Sequence, residues 1–126
     1  MIYTSYFANI KNLPDNIIPI SIARHTPDWY EGLTYTKLAP SFELLCKWKN
    51  GERGRDYYIE RFYEETLNKL DQYAVVMHLK HLCEVSLWGN VDICLVCYES
   101  PEKFCHRHLV REWLIAGGFE CREWNK

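Results

Sequence analysis

Two periodicities divide this chain. Apolar, β-branched runs fill residues 2–7 (IYTSYF), 17–23 (IIPISIA) and 91–97 (VDICLVC), and each predicts a buried strand. Pro19 sits near the start of the second run, where a missing N–H does least harm. Between the runs the spacing turns helical. Phe42, Leu45 and Cys46 predict a short helix over 41–48, entered through Ala39-Pro40 and stopped near Asn50-Gly51. Ile59, Phe62, Tyr63, Thr66 and Leu70 form one stripe and predict a long helix over 56–70, with Glu60, Arg61, Glu64, Glu65 and Lys69 largely outside it. Asp71 is placed to cap a third helix over 73–83, carrying Val75, Val76, Leu79 and Leu82, and Gly89-Asn90 then turns the chain into the third strand. Residues 28–39 scatter Trp29, Tyr30, Tyr35 and Lys37 without period, so they read as a loop of the kind that lines binding sites.

After the third strand, Ser100-Pro101-Glu102 offers a cap residue, a proline for the first helical position and an acid for the first turn. A fourth helix is predicted from there to Gly117-Gly118, and the alternation over 119–124 (FECREW) predicts a last, half-exposed strand. Strands separated by helices need crossover connections. The expected fold is therefore α/β, a mostly parallel sheet flanked by helices in Rossmann-like layers.

Composition bounds this picture. A chain of 126 residues, 48% apolar and 15% aromatic, buries one real core and is expected to form a single domain over 1–126. Lys plus Arg is 15 against Asp plus Glu 17, a net charge of −2, which gives no support to a broad nucleic-acid surface but permits a local positive pocket. The start MIYTSYFANI has no basic segment followed by a long apolar one, so a cytoplasmic protein without membrane partners is expected. The six cysteines are spread through a chain with ample core, and reduced thiols are expected.

The chemistry concentrates where the second and third strands end. Open α/β sheets bind ligands beyond the carboxyl ends of their strands. Arg24-His25 follow the second strand, and Cys97, Glu99, Cys105, His106, Arg107 and His108 follow the third. Cys94 and Cys97 spell C-x-x-C, but residues three apart in a strand face opposite ways and cannot share an ion, so Cys94 reads as core and Cys97 as the residue at the crevice mouth. If a helix restarts at Cys105, its N-terminus favours a thiolate or an anion; if it runs on from Pro101, Cys105, His108 and Glu112 share a face. Arg24, His25, Arg107 and His108 are the expected ligand-binding residues, and Cys97, Glu99, Cys105 and His106 the expected catalytic ones. Cys97 or Cys105 would be the thiolate nucleophile, with His106 and Glu99 as acid and base, toward a small anionic or nucleotide-like ligand.

Duller roles stand beside these. Arg107 could tie its helix to Glu99 or Glu102, and one of His106 and His108 could be a hydrogen-bonded core residue. No metal is assigned, although Cys97, Cys105 and His108, completed by Glu99 or His25, leave room for zinc or iron, and the alternative to an enzyme is a metal-binding or nucleic-acid-associated accessory protein without turnover. A tight phosphate cradle is disfavoured, because the path from Cys97 to Arg107 is long and has no glycine. Trp29, Tyr30, Tyr57 and Tyr58 could stack on a base but read first as packing.

The segments SIARHTPDWYEG, LAPSFELL, KNG, LNKLD with Tyr58 and Tyr63 before it, and above all CLVCYESPEKFCHRHLVREWL cover nearly the whole chain. In these it resembles the small bacterial and phage proteins of domain of unknown function family 488. The resemblance implies an α/β domain, and Arg24, Cys97, Glu99, Cys105, His106 and Arg107 match the family's motif. It brings no established activity, and a fold alone carries none.

Overall fold

A computed structural model describes residues 1–86 and 91–124. Five strands, β1 (Ile2–Tyr6), β2 (Ile17–Ser21), β3 (Leu33–Thr34), β4 (Asp92–Cys97) and β5 (Cys121–Glu123), form one sheet in the order β3-β2-β4-β1-β5. Every pairing is parallel. The helices are α1 (Phe42–Lys49), α2 (Arg55–Glu65), α3 (Gln72–Ser86) and α4 (His106–Ala116). The α/β layer structure anticipated from the strand and helix alternation is thus present.

Strand β4 lies between β2 and β1, and Ile93 through Cys97 are all buried, which is why that run has no polar alternation. Alternate residues feed different cores. Ile93 and Leu95, level with Ile2 of β1 and Ile20 of β2, join the larger cluster, which also receives the buried apolar residues of α1, α2, α3 and α4. Cys94 and Val96 join a smaller cluster with Phe7, Ile17 and Ala23, covered by Ile10, Leu13 and Tyr30. The helices' buried side chains therefore gather on one face, and a 3-10 turn at Phe7–Asn12 with the Tyr30 loop seals the other. Cys94 is a core thiol, as its strand position dictates.

Several boundaries differ from those anticipated, each for a local reason. Of the two starts weighed for the fourth helix, Pro101 and Cys105, the later one is found: α4 begins at His106 with Cys105 as its N-cap. The Ser100 hydroxyl, the anticipated cap, donates to the Glu102 carboxylate at 2.7 Å, and Lys103 N donates to Ser100 O at 3.0 Å, so a turn closes here. The stripe over 56–70 breaks at Thr66, with φ −126° and ψ −71°, and a 3-10 turn at Leu67–Lys69 then seats Leu67 fully in the core. Residues 28–39 hold β3 and a 3-10 turn at Thr36–Leu38, both too short to show a period. Asp71 does cap α3: its carboxylate accepts from Ala74 N at 2.9 Å. The anticipated Gly89-Asn90 turn lies outside the described residues. No described helix is long and apolar enough to cross a membrane.

Candidate functional site

Parallel pairing sets β2 beside β4, with Ser21 level with Val96 and the Ile22 N–H donating to Val96 O at 3.0 Å. Both chains leave the sheet at the same end. There a cavity of about 280 Å³ opens, lined by Arg24 and His25 after β2, by Cys97, Tyr98 and Glu99 at the end of β4, and by Cys105 and His106 at the start of α4. Trp48, Lys49 and Tyr58 from α1 and α2, and Phe104 before α4, complete it.

Arg24 is half-buried and held by backbone alone. Its Nε donates to Pro40 O at 2.9 Å and its Nη2 to Ala39 O at 3.4 Å. Among the described residues no carboxylate lies within ion-pair distance of it. A guanidinium fixed in place by neutral acceptors keeps its positive charge available to an anion. Three rings line the same cavity: Trp48, Tyr58 and Phe104 pack edge to face with ring centroids 5.1 to 5.6 Å apart. Of the tyrosines and tryptophan weighed for stacking, Tyr58 alone lines this cavity, while Trp29 and Tyr30 pack around Phe7, and Tyr57 lies beside Lys47 and Arg53.

The sulfur end is built by α4. Cys105 is its N-cap residue in extended conformation, which turns the sulfur toward Cys97. The two sulfurs are bonded as a disulfide. This corrects the expectation of six reduced thiols, which holds for Cys46, Cys83, Cys94 and Cys121. Cys97 and Cys105 lie eight residues apart, at the end of β4 and the start of α4, with the turn at Ser100 between them. His106 is buried, and its Nε2 lies 2.6 Å from Ile22 O; a carbonyl only accepts, so Nε2 carries the proton. Nδ1 is then a free lone pair, 3.7 Å from Cys105 Sγ. Burial, with the Arg107, His108 and Arg24 charges, pushes His106 down to about 4 despite its bond to Ile22, so the ring is neutral near pH 7.

Arg107 departs from its anticipated ligand-binding role. It is fully buried, does not line the cavity, and forks onto Glu123, with Nη2 to Oε2 at 2.8 Å and Nε to Oε1 at 3.2 Å. Nη1 donates to Glu99 O and, at 3.1 Å, to Cys97 Sγ. Four of the five N–H donors of the guanidinium thus go to protein acceptors, one of them the Cys97 sulfur. The tie to Glu99 or Glu102 weighed for this residue goes to the Glu99 backbone and to Glu123 instead. His108 likewise lies outside the cavity, half-buried on the Glu123 and Arg111 side, where burial and Arg107 lower its pKa. Cys97, Glu99, Cys105 and His106 all line the cavity, with the Glu99 side chain exposed at its mouth and His25 exposed opposite.

Sequence reasoning missed Trp48, Lys49 and Phe104 as lining residues and Glu123 as the partner of Arg107. Trp48 was visible only as the end of a helix, and nothing local tells that its ring meets residue 104. The charge at Glu123, in the most C-terminal strand, was the one signal for a partner to a buried arginine.

Fold and site together define a parallel α/β protein with a cavity of sulfur, imidazole and guanidinium at the strand ends. The family model of the active DUF488-N3 subclade, DUF488-N3a, matches residues 9–118, and the chain belongs to that family. No curated protein and no solved structure matches it.

Proposed function

We propose that this protein is an enzyme that binds a small anionic, ring-bearing ligand of nucleotide type in the cavity between Arg24 and Cys105. The observation that carries this reading is Arg24, a backbone-held guanidinium with no carboxylate partner among the described residues, lining one cavity with the Trp48, Tyr58 and Phe104 rings. Charge at one end and π-faces along the wall suit a phosphate or carboxylate joined to a planar ring. The chemistry belongs to the reduced form of the sulfur pair. Cys105 is the nucleophile, because the N-terminus of α4 favours its thiolate; His106 stands beside it as a neutral ring whose pKa of about 4 makes it too weak a base to hold the thiol proton. Glu99, at the mouth, exchanges protons with the leaving group.

Titration of the reduced protein with a panel of nucleoside monophosphates, followed by Trp fluorescence, tests the reading. Arg24→Ala is expected to weaken binding about tenfold, or ~1.4 kcal/mol. Unchanged binding by that variant, or no binding of any member of the panel, overturns it.

A second reading follows from one further observation. Cys97 Sγ, Cys105 Sγ and a His106 nitrogen all lie within 4.8 Å of one another. A histidine whose other ring nitrogen is fixed on a backbone carbonyl is oriented as metal-bound histidines are. In the reduced state the three would hold zinc or iron with an open position toward the cavity. This replaces His108 of the earlier ligand set by His106. Elemental analysis of anaerobically purified, reduced protein decides it: one equivalent of metal, lost in Cys105→Ser, supports it, and metal-free protein refutes it.

A further inference from the structure

Two of the six cysteines are bonded to each other, and they are the two that line the cavity. Cys46, Cys83, Cys94 and Cys121 remain free elsewhere. A cross-link that served stability alone would need neither access to a ligand cavity nor polar groups directed at both sulfurs. Here Arg107 Nη1 stands 3.1 Å from Cys97 Sγ, and Cys105 sits at the N-cap of α4 with a histidine lone pair 3.7 Å away. Once the bond opens, the Arg107 guanidinium can carry the negative charge on Cys97 and the N-terminus of α4 that on Cys105.

We infer that Cys97 and Cys105 are a redox-active pair that exchanges with a small anionic thiol seated on Arg24, passing between disulfide and dithiol. The substrate class rests on the anion site proposed above; the exchange itself does not. The direction of attack follows from exposure and from the leaving group. Cys105 is 7% exposed and Cys97 1%, so an incoming thiolate reaches Cys105 Sγ first. It forms a bond to that sulfur while the Cys97–Cys105 bond breaks, and the electron pair leaves with Cys97 as a thiolate facing Arg107. A good leaving sulfur is one whose anion is stabilised, which the guanidinium provides. A second thiolate then attacks the sulfur of the bound small thiol. The products are the small-molecule disulfide and the Cys105 thiolate, and two protons complete the dithiol. Two small thiols are oxidised and the protein disulfide is reduced, so the electrons balance. The reverse sequence, with a small disulfide as oxidant, closes the pair again. This exchange switches the nucleophile proposed for Cys105 between a blocked and a competent state.

The experiment equilibrates the folded, full-length protein with reduced or oxidised glutathione, alkylates it in denaturant and counts labels by mass. Four labels are expected after oxidation, matching the four free cysteines, and six after reduction, matching the whole complement. Cys97→Ser is expected to trap glutathione on Cys105. Label counting on the unsubstituted chain keeps the test decisive if that variant fails to fold. Six labels after both treatments, or reduction only in denaturant, overturn the redox pair. The substrate class is read separately. Arg24→Ala should lower the ratio of the exchange rate with glutathione to that with uncharged 2-mercaptoethanol about tenfold. An unchanged ratio overturns the anion-bearing substrate, while the nucleotide titration reports independently on the ligand site.

Discussion

Arg107 and Glu123 meet in a two-pronged ion pair, Nη2 to Oε2 at 2.8 Å and Nε to Oε1 at 3.2 Å, with the arginine fully buried. Thr4 of β1 donates its hydroxyl to the same carboxylate. Strand β5, strand β1, helix α4 and the Cys97 sulfur are thus joined through one guanidinium. Removing one partner of a buried pair leaves the other charge uncompensated, at about 3–5 kcal/mol. Glu123→Ala should therefore destabilise the protein by about that amount in urea unfolding, and Glu123→Gln by less. A loss under about 1 kcal/mol for the alanine variant would show that Arg107 finds solvent or another acceptor.

The neutral, buried His106 makes stability depend on pH. Its folded pKa of about 4 lies below the ordinary 6.5, with Arg107, His108 and Arg24 the charges around it. Between these values the unfolded chain binds a proton that the folded one does not, so the stabilisation is present above pH ~6.5 and is lost as pH falls toward ~4. The full effect is about 3 kcal/mol. The lowered pKa of the half-buried His108 acts in the same direction. Urea midpoints should fall from pH 7.5 to 4.5, with a shallower fall in His106→Gln; parallel profiles for the two proteins would count against the assignment.

The aromatic wall should contribute to binding beyond charge. Trp48→Ala is expected to weaken a nucleotide by about 1–3 kcal/mol, the range for a base stacked on an aromatic side chain, with Trp48→Phe retaining most of the affinity. Isothermal titration at matched folded fraction checks it. Equal affinity for all three proteins would mean that no ring lies on Trp48.

Asp71 offers a control remote from the cavity. Its carboxylate accepts the Ala74 N–H on an exposed surface, so Asp71→Ala should cost about 1 kcal/mol in thermal or urea unfolding and leave ligand affinity and label counts unchanged. A change in either would tie α3 to the site through contacts not described above.

Residues that meet close along the chain, or through parallel pairing, were legible in the sequence. The buried runs at β2 and β4, their shared direction and the gathering of Arg24, Cys97, Cys105 and His106 follow from apolar runs punctuated by helices. What was not legible depends on side chains competing for partners. The sequence left two starts open for α4, and the Ser100 hydroxyl, turned to Glu102, decides for the one at Cys105; Arg107 turned to a carboxylate from the last strand and so left the ligand side. The sulfur bond was hidden for the same reason, since that later start aims Cys105 back at Cys97.

The two carbonyls that hold Arg24 belong to Ala39 and Pro40, immediately before Ser41, whose hydroxyl caps α1 at Leu44 N and also donates to Glu65 of α2. An anion that grips Arg24 therefore immobilises the entrance to α1 as well. Occupancy and local opening of that helix are thermodynamically linked, so amide protons in α1 should exchange more slowly in the complex, with no contact between the ligand and most of the backbone it protects.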